Sequence, residues 1–286
     1  MLEESPDRMA TGRTLSVLTL NCWGVGAPLE ERMAIIRRGM AALRPDVAAF
    51  QEVIVRRDGF DQGALLVDGA WYSRVFAAAF SWSDDGVMVA HDHASGGFGN
   101  LIASRWPIVL SEERRLPGRE GDEPRTVLGA LIETSDGVLP VLTTHLDWEF
   151  DHGCVRERQV MVVDDFAREL ARKADLPPVV MGDFNAHPDS TEMRYLRGLS
   201  SLDGRSTYFQ DAWEIGGPGG RGCTWDNRNR FAAYAYEPDR RIDYILVGVP
   251  DARGRGVVSS ARLVFDDPAG DVFASDHFGV LAEIRV

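Results

Sequence analysis

The sequence predicts an α/β fold in which two packed β-sheets are flanked by helices. Short apolar segments recur along the whole chain, and a few longer segments between them keep the 3–4 spacing of amphipathic helices. The 286 residues, 44% of them hydrophobic, are enough for a proper core. Many strands with few long helices favour two stacked sheets with helices outside and the functional loops gathered at one edge.

The predicted elements can be justified in order along the chain. The first apolar segment predicts a strand, and the region after it, from Leu29 to Leu43, carries apolar residues at helical spacing. The same spacing predicts a helix over 153–172, and the pair Asp189-Ser190 followed by Glu192 predicts the start of a shorter helix. Predicted strands cover 14–21, 47–52, 72–79, 98–103, 126–133, 138–145, 178–182, 241–247, 257–264 and 278–285.

No linker, repeat or low-complexity block divides these elements. We therefore expect a single domain over 14–286, preceded by a flexible segment over 1–13. The Gly/Pro stretch at 216–222 is interpreted as a loop, because candidate site residues lie on both sides of it. The first 13 residues lack the apolar core of a signal peptide, and no apolar run approaches membrane-spanning length.

Charge and cysteine content restrict the partners and the compartment. The net charge of −13 opposes binding to long duplex nucleic acid. Three cysteines without a CxxC pair indicate neither a disulfide framework nor a zinc site. We therefore expect a cytoplasmic protein. As to oligomeric state, a monomer is favoured. The single lysine among 31 basic residues points to a bacterial source. We interpret as solvated loop charges the short clusters Arg114-Arg115, Arg228 with Arg230, Arg240-Arg241 and Arg253 with Arg255.

Polar residues capable of metal chemistry stand at the ends of several predicted strands. Asp183 and Asn185, two residues apart, follow the apolar run 178–182, and four other strand ends carry Asn, Asp, Glu or His. Such groups converging on one pocket, with no serine or cysteine nucleophile among them, indicate a hard-metal site that acts on a phosphoryl group. The groups at the other four ends include Asn21, Glu52, His145, Asp147, Asp276 and His277.

The residue types suggest a division of labour within this site. Glu52, at the end of a buried strand, is the expected direct ligand of Mg²⁺ or Mn²⁺, with Asn21 and Asp276 completing a sparse shell. Asp183 is expected to orient the attacking water, and Asn185 to hold a phosphoryl oxygen.

Two histidines are expected to bind phosphoryl oxygens and to move protons. Imidazole titrates closest to neutrality, which suits His145 and His277 to this role. Asp243 alternates with apolar residues in a predicted strand and should face inward, where a carboxylate needs a partner. His277 is the expected partner, since a carboxylate can fix the tautomer of an imidazole and raise its pKa.

The chain resembles the endonuclease/exonuclease/phosphatase superfamily from Leu18 to Val280. The matching segments, in the expected order, are LNCWG, QEV, THLDWEF, GDFNAHPDS, Thr224-Trp225, RRIDYIL and SDHFGV. The resemblance implies a four-layered α/β/β/α sandwich and a divalent-metal phosphoesterase. It implies Asn21 and Glu52 at the metal, His145 on the phosphate, Asp183 and Asn185 at the nucleophilic water, Asp243 paired with His277, and Asp276 beside the metal or His145. Asp147 matches the THLD pattern of bacterial members.

Two loops next to these motifs are expected to select the substrate. Aromatic residues with interleaved Arg and Asn suit an apolar or ring-shaped leaving group and a second anionic group. The candidates, with Asp147, are Trp148, Trp225, Asn227 and Arg228.

The sequence therefore predicts a Mg²⁺- or Mn²⁺-dependent phosphodiesterase acting on a small or lipid-like phosphate ester. One alternative is a nuclease for single-stranded or damaged nucleic acid. A second is a catalytically inactive binding module on the same fold.

Overall fold

The computed structural model describes residues 13–67, 72–82, 88–89 and 97–286, which build two stacked mixed β-sheets. Sheet I has the strand order β12-β13-β1-β2-β5-β3-β4, and sheet II has the order β10-β11-β9-β8-β7-β6. The strands of sheet I are β1 Thr14–Asn21, β2 Val47–Val55, β3 Ser73–Trp82, β4 Met88–Val89, β5 Gly97–Ser104, β12 Val258–Val264 and β13 Gly279–Arg285. Those of sheet II are β6 Ile108–Arg115, β7 Thr126–Thr134, β8 Gly137–His145, β9 Val179–Asp183, β10 Gln210–Asp211 and β11 Asp243–Val247.

Six helices are described, and the long ones cover the outer faces of the sheets. The apolar face of α1 packs on sheet I through Met33, Ile36 and Met40, and α3 packs on sheet II through residues such as Val163 and Phe166. The helices are α1 Leu29–Leu43, α2 Gln62–Leu66, α3 Gly153–Ala171, α4 Thr191–Leu196, α5 Ala212–Gly216 and α6 Arg230–Ala233. None of these helices is long and apolar enough to cross a membrane.

Three apolar clusters explain the layering. The first lies between the two sheets and joins inward residues of both, such as Val17 and Val47 of sheet I with Val141 and Met181 of sheet II. The other two lie between each sheet and its outer helices. The four-layered α/β/β/α sandwich predicted from the sequence is confirmed.

Most predicted elements are found within a few residues of their expected bounds, and the differences have physical reasons. The strand β6 was missed because it is a sheet edge with charged side chains, which protect an edge against pairing. Arg114 and Arg115, predicted to lie in a loop, belong to this strand, and Arg114 donates to Glu169 of α3 over 2.6 Å. The predicted flexible segment lies outside the described residues except for Arg13.

Candidate active site

A cavity of about 380 Å³ opens at one edge of the sandwich, where strands of both sheets end. Strand β1 of sheet I ends there at Asn21, and strand β8 of sheet II ends there at His145. The cavity is lined by eight of the predicted site residues, namely Glu52, His145, Trp148, Asp183, Asn185, Trp225, Asp276 and His277.

Three of the predicted residues are neighbours across sheet II. Asp183 on β9 stands opposite His145 on the parallel strand β8 and opposite Asp243 on the antiparallel strand β11. Gly182 permits this close approach, because a Cβ atom there would lie 2.0 Å from the carbonyl oxygen of Thr144. Its φ of 143° is also a conformation that favours glycine. The glycine of the GDFN segment is therefore required by the backbone that presents Asp183.

The sequence suggested that Glu52 ends its strand, but the structure shows otherwise. Strand β2 continues to Val55, and its pairing with β5 shifts register between Phe50 and Val53. Glu52 occupies this bulge with a φ of 59°, a conformation that an L-residue adopts at a cost. The bulge redirects the Glu52 side chain, so that its Oε1 accepts a hydrogen bond from Asn21 Nδ2 over 3.0 Å.

Asn21 ties the two sheets together at the site. Its Nδ2 donates to Glu52 and also, over 3.0 Å, to Asp183 Oδ2 on the opposite sheet. Its Oδ1 accepts the backbone N–H of Trp23 over 3.0 Å. The amide therefore fixes two carboxylates, and its own oxygen is already used by the backbone.

The pair formed by His277 and Asp243 is buried at the back of the cavity. His277 Nδ1 and Asp243 Oδ2 are 2.9 Å apart. Burial lowers the pKa of His277, but the charges of Asp243 and Asp183 outweigh it and hold this pKa well above the usual 6.5. Trp225 packs edge-on against the His277 ring, with ring centroids 5.0 Å apart.

Asp183 lies between the two histidines. Its Oδ2 is 3.4 Å from His145 Nε2 and 3.7 Å from His277 Nε2, and its Oδ1 accepts the backbone N–H of Asn185 over 2.9 Å. Burial and the charge of Asp243 raise the pKa of Asp183 to about 6. His145 differs from His277, because burial and the charge of Arg125 lower its pKa well below 6.5. Near neutral pH the site thus combines a protonated histidine, a neutral histidine and a weakly basic carboxylate.

Two further carboxyl groups fit a hard cation. Burial and the charge of Asp183 raise the pKa of Glu52, and burial and the charge of Glu52 raise the pKa of Asp276 to about 6. Crowded, poorly hydrated carboxylates of this kind are stabilised by a divalent ion. The carboxylate oxygens present therefore suit a hard divalent cation.

Three predicted site residues have contacts away from this cavity. Asp147 accepts from His152 Nδ1 over 3.0 Å and from the backbone N–H of Glu149 over 3.1 Å, which closes the loop after β8. Asn227 is exposed and donates to Asp239, and Arg228 pairs with Asp226 over 3.1 Å. None of the three belongs to the residues that line the cavity.

Sequence reasoning missed two arginines that do line the cavity. Arg125 is buried and pairs with Glu123 over 2.9 Å, yet its Nε and Nη1 have no partner among the described residues. Arg240 pairs with Glu237 and stacks on the ring of Phe150, with 4.5 Å from Cζ to the centroid. Arg240 had been interpreted as solvated loop charge, and Arg125 belongs to no recognised motif. Both arginines are identified by a carboxylate partner at the edge of the cavity. This arrangement is visible only in the folded structure.

The profile of the Endonuclease/Exonuclease/phosphatase family matches residues 18–277. No curated protein matches the chain.

Several solved structures are similar to this chain in fold. D. rerio TDP2 complexed with single strand DNA product is 21% identical, with a TM-score of 0.73, and the match covers 96% of this chain and 99% of that one. The endonuclease/exonuclease/phosphatase protein from Beutenbergia cavernae is 23% identical, with a TM-score of 0.71 and coverage of 96% and 72%. Truncated Caenorhabditis elegans TDP2 is 19% identical, with a TM-score of 0.71 and coverage of 96% and 98%. Similarity at this level concerns the fold.

Proposed function

The chain belongs to the endonuclease/exonuclease/phosphatase family of metal-dependent phosphoesterases, and we propose that it hydrolyses the phosphodiester of a small or lipid-like molecule. The observation that carries this proposal is the cavity in which Asp183 lies between two histidines of opposite protonation preference. A base, two donors and a cation site around one phosphate-sized space are what diester hydrolysis needs.

Asp183 is the proposed base for the attacking water. A pKa of about 6 leaves the carboxylate ionised at neutral pH yet close enough to the working pH to accept a proton. The hydrogen bonds from Asn21 Nδ2 and from the Asn185 backbone fix both carboxylate oxygens. The water oxygen forms its bond to phosphorus as its proton passes to Asp183, and the bond to the leaving oxygen breaks on the opposite side.

The donors around the cavity stabilise the charge that develops on the phosphoryl oxygens. His145, neutral and 3.4 Å from Asp183, is placed to donate from Nε2, and Asn185 lies at the same wall. Arg125 presents its guanidinium in a buried position where a charge-assisted contact is strong. His277, protonated and held by Asp243, supplies the proton that the leaving oxygen needs.

Glu52 and Asp276 are the proposed ligands of Mg²⁺ or Mn²⁺, and Asn21 holds Glu52 in position. When bound, the ion acts as a Lewis acid on a phosphoryl oxygen. The role proposed for Asn21 is to hold Glu52 and Asp183 through Nδ2, while its Oδ1 accepts the Trp23 N–H.

The charge around the cavity favours a small substrate over a long polyanion. Both rim arginines have a carboxylate partner, Glu123 for Arg125 and Glu237 for Arg240. These carboxylates offset the positive charge beside the cavity, and the net charge of −13 repels a phosphate backbone. Trp148 and Trp225 offer an apolar surface to a leaving group.

A substrate panel tests this proposal. Purified protein with Mg²⁺ is given an aryl phosphodiester, an aryl phosphomonoester, a choline-type phospholipid, and single- and double-stranded DNA. We expect a small or lipid diester to be hydrolysed with the highest kcat/KM of the panel. A chelator should abolish this activity. Activity confined to the monoester would overturn the diester assignment.

A nuclease for single-stranded nucleic acid is the second candidate. It is favoured by the likeness in fold to a TDP2 structure whose description includes a single strand DNA product. A gel shift at physiological salt separates the two, because we expect duplex and single-stranded DNA to bind only at about 10⁻⁴ M or weaker. Submicromolar binding of single strands, with turnover, would establish the nuclease instead.

A further inference from the structure

A second, much smaller cavity lies beside His145 inside the sandwich. Its polar lining is made by Asn100 of β5, Arg125, Thr126 of β7 and His145, and the rest is apolar or backbone. The space open to the centre of a water molecule is about 10 Å³, which is room for one water.

All four of these side chains carry a buried polar atom without a partner among the described residues. The atoms are Asn100 Oδ1, Arg125 Nε and Nη1, Thr126 Oγ1 and His145 Nδ1. They are half of the ten such side-chain atoms in the described part of the chain. Buried polar atoms are nearly always satisfied, so their convergence on one small cavity requires a common partner.

We infer that this cavity binds one water molecule, which joins Asn100, Arg125 and Thr126 to His145 and holds the His145 ring with its proton on Nε2. The water site follows from the cavity and its lining alone. Its effect on turnover rests on the proposed function.

The direction of each hydrogen bond can be worked out. The guanidinium of Arg125 only donates, so the water accepts from it. Asn100 Nδ2 donates to the carbonyl oxygen of Thr126 over 3.0 Å, whereas its Oδ1 has no partner among the described residues. Asn100 Oδ1 can only accept, so it takes one hydrogen of the water, and the Thr126 hydroxyl donates to the water lone pair that Arg125 leaves free.

The second hydrogen of the water is left for His145 Nδ1. The other tautomer, with the proton on Nδ1, would point the lone pair of Nε2 at the carboxylate oxygen Asp183 Oδ2, 3.4 Å away. It would also bring an N–H dipole toward the positive charge of Arg125. Both contacts favour Nδ1 as an acceptor and Nε2 as the donor.

Asn100 and Thr126 are thus positioning residues for His145. They line the small cavity and are not among the residues that line the large one. Their contribution is to keep the proton on Nε2, the nitrogen beside Asp183, because a free imidazole would divide its population between two tautomers.

The test uses the full chain with ¹⁵N-labelled histidine and Mg²⁺, observed by NMR, with the His145 signals assigned from the His145→Gln variant. We expect an unprotonated Nδ1 and a protonated Nε2 in the wild type. Thr126→Val keeps the shape but removes the hydroxyl, and should give a mixture of tautomers with about a tenfold loss in kcat and little change in KM. Thr126→Ser should restore both readouts, and Thr134→Val, the same change at the far end of β7, should alter neither.

Three results would overturn the inference. They are a wild-type His145 with its proton on Nδ1, a Thr126→Val spectrum identical to that of the wild type, and a high-resolution crystal structure with a dry cavity. The first and third do not depend on a Thr126 variant, so misfolding of Thr126→Val would not protect the inference. If the wild type hydrolysed no diester, the spectrum would still decide the tautomer, and only the proposed function would fall.

Discussion

Asp183 illustrates how single residues acquire their chemistry from the groups around them. An ordinary aspartate is too weak a base for chemistry at neutral pH, but burial and the nearby Asp243 raise the pKa of this one to about 6. His277 lies close to both carboxylates, and its own pKa rises as a result. The same buried negative charge thus produces one stronger base and one persistent acid.

Glu52 can be tested as a metal ligand by the change Glu52→Gln. The amide keeps the size of the side chain but removes the charge, so we expect Mg²⁺ affinity to fall by at least about 100-fold, beyond the effect typical of outer-shell residues. Isothermal titration calorimetry measures the affinity, and circular dichroism checks the fold. Glu133→Gln, an exposed site at the far end of β7, is the matched control. An unchanged titration in Glu52→Gln would remove Glu52 from the metal site.

His277 and Asp243 should behave as one unit. We expect His277→Ala to lower kcat by about 100- to 1000-fold, the usual effect of losing one donor to a developing negative charge. Asp243→Asn should also lower kcat, because it removes the charge that keeps the imidazole protonated. The double variant should cost much less than the two losses combined, since the 2.9 Å contact exists only when both are present. Steady-state kinetics of the four proteins measure this coupling, and multiplicative losses would show independent residues.

At the scale of elements, the segment from Trp225 to Arg240 contains residues that face the cavity and residues that only brace the segment itself. Trp225 and Arg240 face the cavity, whereas Asn227 braces the loop through Asp239 and Arg228 lies on its outer side. Within this loop Trp225, Glu237 and Arg240 line the cavity, whereas Asn227 and Arg228 do not.

Arg240 and Arg228 form a matched pair for testing this division. We expect Arg240→Ala to raise KM for the true substrate by about tenfold with kcat nearly unchanged, because a charge-assisted contact made in both ground and transition states is lost. Arg228→Ala should change neither parameter. Equal effects of the two substitutions in steady-state kinetics would mean that the loop acts as a whole and that the cavity walls do not define the substrate contacts.

Some of these elements could be predicted from the sequence, and others could not. The long strands and both long helices follow from apolar periodicity, which the core directly enforces. The edge strand β6 and the bulge at Glu52 could not be predicted, because the first has the composition of a charged surface and the second depends on register with β5. The motif residues gather at one cavity, while their catalytic roles remain predictions. Arg125 was beyond sequence reasoning because no motif surrounds it.

At the scale of the whole molecule, the site depends on the docking of the two sheets. Asn21 from sheet I binds Glu52 on its own sheet and Asp183 on the other. Ser275 Oγ, next to Asp276, donates to the Asn21 carbonyl oxygen over 2.7 Å. The three acidic groups are thus forced together by the same sandwich that buries the core, and their repulsion is a cost to the fold that a cation relieves.

This repulsion predicts a pH-dependent stabilisation by Mg²⁺. Asp183 and Asp276 have folded-state pKa values of about 6, above the usual 3.8, so the folded state holds protons more tightly than the unfolded state. Their stabilising contribution is complete below about pH 3.8 and is lost as the pH rises through about 6. Mg²⁺ competes with those protons, so the gain in Tm on adding it should be near zero at pH 4 and should reach its plateau above pH 7. At 100 times its Kd the ion should add about 2.7 kcal/mol to the unfolding free energy.

Thermal unfolding with chelator and with Mg²⁺, from pH 4 to pH 8, measures this gain. Asp276→Asn should reduce the plateau and shift part of the pH dependence, whereas Asp267→Asn, the same change at an exposed position on the β12–β13 connection, should leave both as in the wild type. A gain in Tm that is as large at pH 4 as at pH 8 would mean that the ion binds without displacing protons. The buried carboxyl groups of the cavity would then not be the ligands of Mg²⁺.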